Sequence, residues 1–126
     1  MKPGIKQLLY RLTITMGLAT AFANAATEKV EITSKSRFSP ERILVKVGDN
    51  VEFTNNSNGT HTVTADPSKA KDSKNVLLPK GGVAFHSGFL RPGQKFVQTF
   101  TVPGLYQYVC LPHESMGMMG QIEVKP

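Results

Sequence analysis

A chain of 126 residues holds one ordinary domain and little more, and its formal charge of +6 comes from 15 Lys and Arg against 9 Asp and Glu. Three of those cations, Lys2, Lys6 and Arg11, stand together at the start, so the remainder carries +3, with no two basic residues adjacent and no aromatic interleaving. That pattern gives no indication of a nucleic-acid surface, and a single cysteine excludes an internal disulfide.

In chain order, the basic start leads into an apolar stretch over residues 12–23, broken by Thr13, Thr15, Gly17 and Thr20, and then into Ala23-Asn24-Ala25. A charged start, a short apolar middle and a small-x-small exit describe a secretory leader, with cleavage expected after Ala25. The apolar stretch is too short for the roughly 20 residues that span a bilayer, so no membrane insertion of the mature chain is expected. Residues 26–126 are then one exported domain, placed in the periplasm. A lone thiol in an oxidising compartment has to be buried, reacted or ligated.

The mature part reads as short β-segments between turn residues. Val30 and Ile32 alternate with polar neighbours, as do Ile43, Val45 and Val47; Gly48-Asp49-Asn50 makes a turn, and residues 51–54 start another strand. A polar loop over 55–59 leads to a strand starting at His61. Residues 66–93 break the rhythm: Lys69, Lys71, Lys74 and Lys80 make them locally basic, and they read as a long crossover with one short strand at 83–85. Strands at 95–101, 105–110 and 120–124 complete the chain. No useful helical period occurs. Closely spaced short strands predict an all-β, antiparallel sandwich or barrel, and the long connection suits a Greek key.

The chemistry lies in the stretch from Cys110 to Met118, with the spacing C-x-x-H-x-x-x-x-M. A strand ends at Cys110, Pro112 stops ladder pairing, His113 follows, and Gly117 lets the chain turn so that Met118 points back. One loop thus offers a thiolate, an imidazole and a thioether, while His61 supplies a second imidazole from a separate strand. Taken singly, a histidine or a methionine carries no such meaning. Two His and one Cys in a plane, with a weak axial Met, make an electron-transfer copper site holding one copper. Three other residues invite alternatives. Glu114 offers an axial oxygen in place of Met118, Met116 and Met119 suggest Cu(I) handling or simple loop packing, and His86 has no second donor spaced near it.

Phe38-Ser39-Pro40, residues 43–49, residues 51–55 and His61-Thr62-Val63, followed by Ser87-Gly88, Pro92-Gly93, Pro103-Gly104, Tyr106, Cys110, Pro112-His113, Gly117-Met118 and Gly120, resemble the plastocyanin-like cupredoxins, the blue type 1 copper proteins. The resemblance covers most of residues 26–126 and leaves 66–86 without anchors. It implies an eight-stranded Greek-key β-sandwich, copper at one end, and electron shuttling between redox proteins. Thr60 and Thr62 stand where the family often has Pro and commonly Asn, and Val109 stands where plant members carry an exposed Tyr. The expected function is therefore electron transport by a monomer that is not an enzyme. Its donor and acceptor are redox proteins, and the basic crossover points to partners with an acidic docking rim. An apolar collar of Leu111, Pro112, Met116 and Gly117 around His113, joined by Pro79, Gly81 and Gly82, is the expected exit for electrons. A copper storage or delivery protein is the alternative, with the same ligands. A copper oxidase or reductase is disfavoured, because Cys110 lies between Val109 and Leu111 rather than in a His-Cys-His bridge.

Overall fold

Alternating burial along the strands builds two facing sheets. The computed structural model describes residues 24–126, so the predicted leader lies, apart from Asn24 and Ala25, outside the described residues. Strand β1 (Thr27–Ile32) turns Val30 and Ile32 inward, and β4 (Asn50–Asn55) turns in Val51, Phe53 and Asn55. With β2 (Phe38–Ser39) and β7 (Lys95–Thr99) they form one sheet in the order β2-β1-β4-β7. The second sheet takes β3 (Arg42–Lys46), β9 (Met119–Lys125), β8 (Gly104–Val109), β5 (Thr64–Ala65) and β6 (Phe85–His86), in that order. Successive side chains of a strand point to opposite faces, so each sheet presents one apolar face and the two close on a shared core.

The sheets are mixed rather than purely antiparallel, since β1 runs parallel to β4 and β3 parallel to β9. Period-two alternation fixes which face a residue occupies and is silent on strand direction. The core is aromatic in its middle. Tyr108 of β8 stands edge-on to Phe38 at 4.7 Å and to Phe53 at 5.3 Å between ring centroids, joining the two sheets. Gly120, its partner in the β8–β9 ladder, has no side chain because the Tyr108 ring occupies the space a Cβ would need.

Two expected strands come out shorter. The strand at His61 is reduced to a bridge between His61 and Leu90, followed by the two residues of β5. The cause lies in the hydrogen bonds: the Thr62 amide is aimed at Cys110 Sγ and the Val63 amide at Ser87 Oγ, so neither enters a ladder. The short strand of the crossover lies at β6 rather than at 83–85, with Val83 left 68% exposed.

The crossover itself runs along β8. It makes a 3-10 turn, Ser73–Asn75, capped by the Asp72 side chain, which accepts from the Lys74 amide at 2.9 Å. Leu77 then pairs with Gln107 of β8, and Pro79 packs against Gly104 at the start of that strand. Cys110 follows the opposite end of β8. At about 3.3 Å per residue, a six-residue strand separates the two ends by roughly 20 Å. Pro79 therefore cannot join a collar around Cys110 and His113, and with it go Gly81 and Gly82, which turn back upon it through the Gly82 amide bond to the Pro79 carbonyl. The sequence placed these residues near the site because turn residues carry no information on which end of a sheet they cap.

Candidate metal centre

Two loops at one end of the sandwich carry the donors. The first begins at Asn55, the last residue of β4, which is fully buried. Its side-chain amide donates to the carbonyls of Gly59 (2.8 Å) and Leu90 (2.9 Å), while its Oδ1 accepts from the Ser57 amide (3.0 Å) and hydroxyl (2.6 Å). All its hydrogen-bonding capacity is used to shape residues 56–60 and tie them to the 87–90 segment. His61 follows, held to Leu90 by two backbone bonds, with its side chain only 2% exposed.

The second loop starts as β8 delivers Cys110. A 3-10 turn, Leu111–Met116, opens with Pro112 near its start and ends at Gly117, whose φ of 78° lies in the left-handed region that favours glycine. The His113 amide donates to the Cys110 carbonyl (3.1 Å), the Met118 amide to the His113 carbonyl (3.2 Å) and the Cys110 amide to the Met118 carbonyl (3.0 Å). These three bonds fold the loop so that Cys110 and Met118 are neighbours, both buried.

The loops meet at Cys110. Its Sγ lies 3.5 Å from His61 Nδ1 and 3.4 Å from His113 Nδ1, and the two imidazole rings are 4.6 Å apart between centroids. Among the described residues, these three form the one group of His, Cys, Asp or Glu donors close enough to share an ion. Donors separated by about 3.5 Å suit a common metal with bonds of roughly 2.0–2.3 Å. One thiolate and two imidazoles are the donor set of a copper electron-transfer site, so the residues present fit copper.

Electrostatics fit the same use. Burial pushes the Cys110 thiol up, with the backbone amides of Thr62 and His113 opposing. Burial and the neighbouring His113 hold His61 below the usual imidazole range, which favours the neutral form that a metal needs. The Thr62 amide points at Cys110 Sγ from 3.4 Å, and the Thr62 hydroxyl accepts from the Leu111 amide at 2.9 Å. Despite its short side chain, Thr62 thus ties the two ligand loops together.

The alternatives separate cleanly. Glu114 is 3% exposed and turns to the crossover, where its oxygens accept from the amides of Lys71 (2.8 Å) and Asp72 (3.1 Å) and from the Asn75 side chain (3.0 Å). Both oxygens are engaged there, which leaves Glu114 as a clasp on the ligand loop rather than an axial donor. Met116 stands 70% exposed, and Met119 Sδ lies 3.8 Å from Gln107 Nε2. His86 bonds the Thr64 hydroxyl. Sequence reasoning gave no structural role to Asn55, Ser57 or Ser87 and missed the Glu114 clasp. Only the first had a local signal, an Asn followed two residues later by Ser at a strand end, the pattern of an Asx turn.

Comparison with known proteins agrees with this geometry. The sequence profile of the family described as copper binding proteins, plastocyanin/azurin family, matches residues 24–125. The chain is 36% identical to plastocyanin of Nostoc punctiforme over 112 residues, covering 84% of this chain and 79% of that protein. It is 34% identical to plastocyanin of Prochlorothrix hollandica over 115 residues, covering 88% and 82%. Among solved structures, a methionine-to-glutamine mutant of amicyanin, in the Cu(I) form, superposes with a TM-score of 0.61 at 29% identity, covering 79% of this chain and 82% of that one. The copper-containing nitrite reductase of Thermus scotoductus gives 0.63 at 27% identity, but only 22% of that chain is matched. With a buried thiol and two imidazoles converging at one end of a two-sheet sandwich, this chain belongs to the plastocyanin/azurin family of copper-binding proteins.

Proposed function

We propose that this chain is an exported one-electron carrier with a single type 1 copper held by His61, Cys110 and His113 and, weakly, by Met118. The observation that carries the reading is the convergence of two Nδ1 atoms on one buried Sγ. When bound, copper supplies the Cu(II)/Cu(I) couple. The chain's own residues hold the donors in one geometry: Asn55 fixes the approach to His61, Thr62 joins the loops, and Glu114 anchors the ligand loop to the crossover. His61 is buried, whereas His113 reaches the surface, so the His113 edge is the exit for electrons. Leu111, Pro112, Met116 and Gly117 share its loop, the last three exposed. Phe89, 69% exposed and next to Leu90, the backbone partner of His61, belongs to the same end. An apolar collar of this kind suits a brief encounter with a redox protein.

Basic residues flank the collar, interspersed with Glu41, Asp72 and Glu114. Lys35 and Arg37 line a hollow of about 230 Å³ together with Glu41 and residues 116–119. Lys71 lies at the Glu114 clasp, with Lys69 and Lys74 nearby in sequence, while Lys80 is carried to the far end beside Pro79. An acidic rim on the electron donor or acceptor would complement this arrangement. Export is supported by Ala26, whose amide nitrogen donates to Asp49 Oδ1 at 2.9 Å. Cleavage after Ala25 would turn that nitrogen into an ammonium facing a carboxylate, one that the Lys46 and Ala26 amides already hold below the usual range. Among the described residues no helix is long and apolar enough to cross a membrane. A carrier rather than an enzyme is favoured, because the plastocyanins are matched over about four-fifths of their length and the nitrite reductase over only 22%.

Repeated reduction and reoxidation in the presence of a strong Cu(I) chelator tests the reading. A carrier keeps its copper through many cycles. Rapid loss of copper to the chelator would favour storage or delivery instead.

A further inference from the structure

A row of hydrogen bonds leads from the ligand loop to the edge of the second sheet. The Leu111 amide donates to Thr62 Oγ1 (2.9 Å), Thr62 Oγ1 lies 2.9 Å from Thr64 Oγ1, and Thr64 Oγ1 lies 2.8 Å from His86 Nδ1. Both threonines are fully buried, and His86 is half-buried on β6, the edge strand. Thr62 also places its amide on Cys110 Sγ. We propose that His86 is a positioning residue for the copper site, its protonation setting the direction of the Thr64 and Thr62 hydroxyls and, through them, the reduction potential. The inference rests on the carrier reading.

Each hydroxyl has one proton, so the row has a direction. With Nδ1 unprotonated, Thr64 donates to His86, Thr62 donates to Thr64, and Thr62 Oγ1 accepts from Leu111. Every group is satisfied. Protonation at Nδ1 makes His86 a donor. Thr64 must then turn its proton to Thr62 Oγ1, and the Thr62 proton loses its acceptor in the row. A buried hydroxyl without a partner is costly, so the row resists this state. The positive ends of two hydroxyl dipoles now face the ligand loop, and a new cation sits at the far end. Both changes disfavour the more positive oxidation state, so the potential rises.

The charged groups facing His86 are Asp66 and Lys69, from the segment after β5. Burial and Lys69 hold the imidazole below its usual range, with Asp66 opposing. The His86 step therefore lies below that of a free imidazole. Reciprocity requires the reduced protein to bind that proton more tightly than the oxidised one. A difference of about threefold corresponds to a potential step of about 28 mV, at about 59 mV per tenfold for one electron.

The experiment follows the midpoint potential of the copper-loaded protein against pH, in the unmodified protein and in His86→Gln and Thr64→Val. The Leu111 amide resonance is followed by NMR in the reduced and the metal-free protein. The step should vanish in His86→Gln and shrink in Thr64→Val, and the Leu111 amide should titrate together with the His86 ring. A step that survives His86→Gln would overturn the proposal. So would a full step in Thr64→Val, which would leave only charge acting through space, or a Leu111 amide indifferent to His86. A protein that takes up no copper would sink the carrier reading, and the metal-free Leu111 titration would still decide the hydrogen-bond row.

Discussion

Glu114 stands beside a proposed ligand yet uses both carboxylate oxygens on the crossover. Burial raises its pKa, but the two backbone amides, Asn75 and Lys71 together outweigh burial and hold it below the usual carboxylate range. A depressed folded value stabilises the fold above the unfolded pKa of about 4.3, and the contribution fades as pH falls through the folded value. Glu114→Gln, which places an NH₂ against donors, should lower the stability of the metal-free chain by about 1–3 kcal/mol at neutral pH in denaturant titrations. Its acid unfolding should be less steep than that of the unmodified chain; equal stability would reject the clasp. Met118→Leu should leave a blue site with a higher potential, because removing a weak donor disfavours Cu(II), whereas Met116→Leu and Met119→Leu should shift it less. A larger shift from Met116→Leu, read by redox titration, would show the wrong methionine was chosen. The convergence of His61, Cys110 and His113 was legible because a Cys and a His at C-x-x-H, joined by a second His from another strand, define a chemistry. The clasp was not, since its partners lie some forty residues away (|i−j| of 39 to 43) and nothing local marks a surface-type residue as buried.

At the scale of elements, alternation identified most strands, because Val30, Ile32, Val51, Phe53, Ile122 and Val124 repeat on one face. It failed at residues 61–63, where amides are drawn to Cys110 and Ser87 by contacts across the fold, and it could not see that β1 and β3 run parallel to their partners. The loop before His61 depends on one buried side chain. Asn55→Ala would leave the Ser57 amide without its acceptor and take one donor each from the Gly59 and Leu90 carbonyls, and a loss of roughly 1–3 kcal/mol is expected in denaturant titrations. The visible spectrum of the copper-loaded variant should change as well, because the approach of His61 loosens. An unchanged spectrum and stability would remove Asn55 from the framework of the site. Gly120→Ala brings a methyl group against the Tyr108 ring and should cost about 1–3 kcal/mol through overpacking.

For the whole molecule, the sandwich supplies rigidity and its loop end supplies the donors, so metal and fold are coupled. Copper bound only by the native state should raise the melting temperature, and equal values with and without copper would contradict that coupling. Positive groups around the collar should steer an acidic partner, so the second-order rate of electron exchange should fall as ionic strength rises. A rate that climbs with salt would reverse the charge assignment. The most direct measurement is a copper titration of the purified metal-free protein, followed by its visible spectrum and one-electron reduction. One copper per chain, an intense blue band that bleaches and returns reversibly, and loss of that band in Cys110→Ala are the expected result. A pale spectrum, or a Cys110→Ala protein that remains equally blue, would contradict it.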